Sequence, residues 1–288
     1  MNLMSSKQFS LFRIIFGMYL TIHFLMLAPY AGELFSSSGI MANAALNPAP
    51  GLFPNPLNLD IPVWQVRGFV LALSVLSLIF TIGLLRPLVS ILLWFGWTAL
   101  FHRNQLIANP SLAYIGLLLA LCALVPSGEE WSFSKKNPDW AMPIWVFRTA
   151  WILLAAGYTF SGIMKLSSPS WVDGSAMAYL MENPLARPGI LREAMMGLPR
   201  EVLSLLTWFT LGAELLYLPL ACWKKSRPWI WLVMVVLHIG IIFVVDFADL
   251  SLGMLMAHAF TFDRKWLAMF DVCQNDTVSV PSSVHLVP

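Results

Sequence analysis

Eight times between Phe9 and Phe262 the chain produces an apolar run approaching the ~20 residues that a helix needs to cross a bilayer. The runs fall at about 9–29, 63–85, 88–101, 112–125, 144–164, 202–222, 229–245 and 250–262. In hydrocarbon every backbone N–H and C=O must be satisfied within the protein, so repeated runs of this kind specify helices. Composition agrees: 58% of residues are hydrophobic and 11% charged, against about 45–50% and about 25% in a soluble domain. Such a chain is neither water-soluble nor disordered, since disorder needs low hydrophobicity and high charge. A net charge of +2 gives no electrostatic reason to expect nucleic acid. The expected class is an all-α, polytopic membrane bundle of about eight transmembrane helices.

The first run could be a signal peptide, because Lys7 precedes it and Ala42-Asn43-Ala44 follows, but that triplet lies well past its end. It reads as an uncleaved anchor. Lysine and arginine placement sets orientation. With the N-terminus inside, Lys7, Arg13, Arg86, Lys135, Lys136, Arg148, Lys224, Lys225, Arg227, Arg264 and Lys265 lie inside. Arg67, Arg103, Lys165, Arg187, Arg192 and Arg200 then lie outside, which accounts for all 17. Both termini are therefore expected in the cytoplasm, and the polar segments 30–62 and 165–201 face outward. Residues 1–265 form the expected membrane domain, and 266–288 a polar, disordered cytoplasmic tail.

Cys122, Cys222 and Cys273 show neither a CxxC nor metal-ligand spacing, so no disulfide framework and no metal site are expected. Seven tryptophans near run ends (Trp64, Trp131, Trp145, Trp171, Trp223, Trp229 and Trp266) read as interfacial belts.

Ionisable groups inside such runs need a reason, because each costs about 2.5–3.5 kcal/mol at mid-bilayer on insertion scales. At about 1.5 Å per residue, Glu214 and His238 lie about 18 Å and about 14 Å from opposite ends of successive runs. They are thus at similar depth, within reach of a mutual hydrogen bond, and His258 can reach the same layer. Two readings follow: interhelical glue, or a proton relay or quinone site. Tyr158, Ser161 and Lys165 stand at i, i+3 and i+7 and share one helix face, with Lys165 at the outer mouth. Spacing alone leaves Lys165 either snorkelling to headgroups, with Asp246 and Asp249 solvated nearby, or held in a low-dielectric pocket as a general base.

The segment Gly157-Tyr158-Thr159-Phe160-Ser161-Gly162-Ile163-Met164-Lys165-Leu166 is followed by Trp171-Val172-Asp173-Gly174 and Ala178-Tyr179-Leu180. This block resembles the membrane part of the vitamin K-dependent gamma-carboxylase family and its bacterial relatives, the horizontally transferred transmembrane (HTTM) domain family. Phe12 to Gly17, Arg103-Asn104, Pro126 to Gly128, Glu214-Leu215 and His238 to Ile241 are similar to other parts of that pattern. The resemblance implies Lys165 as the catalytic base. Tyr158, Ser161, His102, Asn104, Trp171, Glu214 and His238 would line or support its pocket. It also implies a hydroquinone of vitamin K or menaquinone type, and a bacterial inner (plasma) membrane location.

The function so implied is a quinone-dependent carboxylase or oxidative enzyme in the lipid bilayer. A second reading is a non-catalytic partner for maturation or export of a small secreted peptide or protein met on the outer side, as in the sporulation-delaying-protein B family. A small-molecule transporter ranks third, because no inverted repeat or broken-helix pair is evident.

Overall fold

The computed structural model describes residues 4–47 and 51–267. Among these, all regular structure is helical. The helices are α1 (Ser6–Leu27), α2 (Ala31–Phe35), α3 (Val63–Ile82), α4 (Arg86–Arg103), α5 (Pro110–Leu124), α6 (Ile144–Lys165) and α7 (Pro169–Val172). They continue with α8 (Ala176–Glu182), α9 (Ile190–Met196), α10 (Arg200–Leu215), α11 (Tyr217–Cys222), α12 (Arg227–Val244) and α13 (Ala248–Thr261). Each of the eight apolar runs is thus helical. Four segments are long and apolar enough to cross a membrane: Ser6–Phe35, Val63–Ile82, Ile144–Lys165 and Arg227–Val244. The helices at the other runs are α4, 18 residues with a basic last turn, the shorter α5 and α13, and the split α10–α11.

Local signals place the ends. Ser5 caps α1, its hydroxyl accepting from Gln8 N–H, and Asn109 caps α5 by accepting from Ser111 N–H. Pro87, Pro110 and Pro228 occupy first turns, where a missing N–H costs nothing. The sixth run is broken at Leu216. Pro219 has no N–H for the Leu215 carbonyl, and its ring crowds that carbonyl. Thr159 of α6 mends the gap: its hydroxyl lies 3.3 Å and 3.4 Å from the carbonyl oxygens of Glu214 and Leu215 and accepts from Leu218 N–H at 3.1 Å.

Packing is that of a bundle in an apolar solvent. On α1, Phe9, Phe12, Phe16, Leu20 and Phe24 are buried at helical spacing, while Leu11, Ile15, Met18, Ile22 and Leu25 are exposed. A helix that is apolar on both faces has no water-facing side. Helix α1 packs on α3, α4 on α5, α5 on α13, α6 on α10 and α11, and α12 on α13. The Gln8 amide donates to the Phe262 carbonyl at 2.7 Å, so the start of α1 and the end of α13 share one end of the bundle.

That end is tied by charge. Arg13 Nε and Arg86 Nε lie 3.0 Å and 3.1 Å from Glu129 Oε1, and all three side chains are sealed from solvent. The guanidinium groups also cap helix ends. Arg13 donates to the carbonyls of Phe80, Thr81 and Trp131, and Arg86 to those of Cys122, Val125 and Pro126. Cations at helix C-termini are favoured by the unpaired carbonyls and the dipole there. At the opposite end Arg103 is equally buried and donates to Leu57 and Ser36 carbonyls.

Of the tail expected from 266, only Trp266 and Leu267 are described. Trp266 is buried against Trp151, Trp231 and Phe262 rather than lying at an interface. The rest of that tail, with Cys273, lies outside the described residues. Cys122 is buried and Cys222 exposed. Among the belt tryptophans, Trp64, Trp131, Trp145, Trp223 and Trp229 are exposed.

Candidate functional site

Lys165 is the last residue of α6, and Glu214 lies in the last turn of α10. They meet because the two helices nearly touch at Gly162. A Cβ there would stand 2.8 Å from the backbone nitrogen of Leu215, closer than side-chain carbons come. Glycine therefore permits the crossing, one turn before the lysine. Lys165 Nζ donates to Glu214 Oε2 at 2.5 Å and to Ser161 Oγ at 2.8 Å. It also sits 5.0 Å from the centre of the Trp171 indole ring, a cation–π contact. The Lys165 side chain is 22% exposed and that of Glu214 11%. The amine thus points at a carboxylate, a hydroxyl and a ring rather than freely outward.

The Trp-x-x-Gly part of the block holds that ring in place. Gly174 takes φ +85, a left-handed conformation glycine adopts without strain, and packs against Ser204 and Trp208 of α10. The Trp208 indole N–H donates to the Val172 carbonyl at 3.1 Å. Asp173, outside the helical bundle, accepts from the Ser175 hydroxyl at 2.6 Å and from its backbone N–H at 2.8 Å. The Ser175 hydroxyl, then its N–H, hold the Asp173 carboxyl below its usual value.

Below the pair, on the same face of α6, the Tyr158 hydroxyl lies 2.7 Å from His238 Nε2 and 2.8 Å from His258 Nε2. His238 Nδ1 is 3.3 Å from Ser251 Oγ, and His258 Nδ1 is buried without a partner. A buried N–H without an acceptor is the costlier choice, so the proton of His258 is assigned to Nε2, donating to Tyr158. Tyr158 then donates to His238 Nε2, and His238 Nδ1–H faces Ser251. The expected Glu214–His238 hydrogen bond is not formed. Their similar depth is not enough, because the α6 face lies between them and supplies each with a nearer partner.

The structure gives two other expected residues different work. Asn104 is fully buried, donates to the Leu34 carbonyl at 2.9 Å and accepts from Leu106 N–H, which makes it a staple of the loop after α4. His102 lies in the same region, 5.8 Å from the Phe53 ring and beside Asn47, whose amide donates to its carbonyl. None of these contacts joins the Lys165 group. An open cleft of about 450 Å³ lies between α2 and α3, lined by Glu33, Gly39, Val63 and Arg67, and not by Lys165. Asp246 pairs with Arg187 at 3.3 Å, and Asp249 is hydrogen-bonded rather than simply solvated. Among the described residues no group of three or more His, Cys, Asp or Glu could hold a metal ion.

Sequence reasoning passed over Thr159, which steadies the break beside Glu214, and over His23 and Tyr19. Thr159 had a signal in Pro219, which leaves a carbonyl needing a donor. The chain matches no protein-family model, and neither a curated protein nor a solved structure matches it significantly.

Proposed function

We propose that the protein is an eight-helix integral membrane enzyme, both ends of the bundle's chain in the cytoplasm, that abstracts a proton from an apolar substrate at its outer side. The observation that carries this reading is the Lys165–Glu214 pair, partly open at the end of α6. The base is the pair and not a lone amine. The Lys165 ammonium can pass a proton to Glu214 Oε2, which leaves a neutral amine to take the substrate proton, so the net proton gained rests on Glu214 until it is released. Ser161 fixes the amine's direction, and Trp171 offers a flat apolar face beside it. The Tyr158–His238–His258 group lies about two turns below on the same α6 face.

A hydroquinone suits these residues: an amine–carboxylate couple for its hydroxyl proton and an indole face for its ring. Bound there, it would supply the reducing electrons for oxygen chemistry. The resemblance to HTTM and vitamin K-dependent carboxylase membrane domains supports the same role for Lys165, as does the outward placement that the lysine and arginine distribution gives segment 165–201.

The test is oxygen uptake by the protein in lipid nanodiscs given a short-chain reduced menaquinone. The wild type is expected to turn over, and Lys165→Met to lose about 10²–10⁴-fold while inserting normally. Equal rates for the two, or no isoprenoid quinone recovered with the membrane-extracted protein, would overturn the reading.

A further inference from the structure

A second cluster lies where α1, α4 and α13 meet. Asp249 Oδ1 accepts from the Tyr19 hydroxyl at 2.6 Å and lies 3.0 Å from His23 Nδ1. The Ser111 hydroxyl at the start of α5, which donates to Asn109 Oδ1 at 2.6 Å, lies 3.3 Å from the Asp249 backbone carbonyl. A carboxylate only accepts, so His23 Nδ1 carries the proton. In the neutral imidazole Nε2 is then a bare acceptor. That atom is buried and has no hydrogen-bond partner. Buried polar atoms are nearly always satisfied, so one left open asks for a donor.

The walls say what kind of donor. The His23 ring is surrounded by aromatic rings: Trp97 at 5.0 Å, Phe24 at 5.6 Å, Tyr19 at 6.0 Å and Phe101 at 6.3 Å. None of the four is charged. A cation would find no counter-charge beyond an Asp249 already used twice, and an anion would face the bare lone pair. The chemistry left is a neutral hydroxyl on an apolar body. The site is not sealed, since 13% of the His23 side chain stays accessible. Phe101 beside it is half-buried in the last turn of α4.

We propose that His23, oriented by Asp249, is a binding site for the hydroxyl group of a lipid-soluble alcohol or phenol, separate from the Lys165 pair. Asp249 plays the positioning part: it fixes the tautomer and the ring plane, so that Nε2 is presented as acceptor. Tyr19 holds the carboxylate in turn. The proposal does not depend on the reaction assigned to Lys165.

The probe is 4-fluorophenol, followed by fluorine NMR with the full chain in nanodiscs, with 4-fluoroanisole as the ether that lacks the donor. All arms use the Lys165→Met background, which removes the phenol's other candidate site. There the phenol is expected to bind, and to lose about tenfold or more in affinity when His23→Phe is added. The anisole is expected to bind the background protein as weakly as the phenol binds after His23→Phe. Equal affinity of phenol and anisole for the background protein would overturn the proposal and leave His23 a packing residue. So would phenol binding that survives His23→Phe. Should the added His23→Phe not fold, the phenol–anisole ratio on the Lys165→Met protein decides alone.

Discussion

The Arg13–Glu129–Arg86 cluster and the Lys165–Glu214 pair lie toward opposite ends of the packed helices, and their surroundings differ. At one end Arg13, Glu129 and Arg86 are closed off entirely, and both guanidinium groups also donate to backbone carbonyls at or near helix ends. At the other, Lys165 and Glu214 keep 22% and 11% of their side chains open, and their further partners are a hydroxyl and a ring face. A charge cluster sealed from everything outside can only hold helices together. A charge pair with an open side can exchange a proton with something that arrives. Burial alone therefore does not mark a functional ion in a membrane bundle; what counts is whether a second molecule can reach it.

The sharpest way to break that contrast is to remove the shared anion. Glu129→Gln leaves two sealed guanidinium groups facing each other across a neutral amide. Removing one partner of a buried pair costs about 3–5 kcal/mol. The variant is expected to unfold at much lower temperature in detergent, or to fail to accumulate. A near-wild-type melting curve would mean that the carbonyls alone stabilise both cations. Gly162→Leu comes next. Its side chain has to push against the Leu215 backbone, an overpacking expected to cost about 1–3 kcal/mol. Because the same crossing brings Lys165 to Glu214, turnover is expected to fall along with stability. Retained turnover would show that the pair forms without the close approach.

The helical architecture was legible because the run length in lipid leaves one choice of secondary structure, and all eight runs are helical. The face shared by Tyr158, Ser161 and Lys165 was also legible, since i, i+3 and i+7 fix azimuth whatever the helix packs on. What failed was pairing across helices. Glu214 and His238 match in depth, but depth says nothing about rotation, and α6 takes both partners. Asn104 and His102 were carried by resemblance; their hydrogen bonds join the end of α4 to α2 and to Asn47 before α3. Arg13, Arg86 and Glu129 were visible as charges, but only the fold shows that they converge. Their partners are backbone carbonyls at helix ends, which no residue type announces.

The smallest expected effect sharpens the contrast most. Replacing Lys165 by Met and Glu214 by Leu together removes both charges of the open pair and leaves apolar groups of similar length. Swapping a buried ion pair for apolar residues is often neutral for stability, since the desolvation of two charges disappears with their attraction. Glu214→Leu alone is also expected to cost little, because the Lys165 amine, one-fifth open at the helix end, can turn outward to water or headgroups. The double variant is therefore expected to melt within about 1 kcal/mol of wild type while losing turnover completely. The same exchange at Arg86 and Glu129 cannot be neutral, because Arg13 would stay behind without its carboxylate and the Cys122, Val125 and Pro126 carbonyls would lose their donor. If the Lys165/Glu214 double variant instead unfolds as readily as Glu129→Gln, the open pair is a structural tie like the sealed one. The proton chemistry assigned to it would then have no basis.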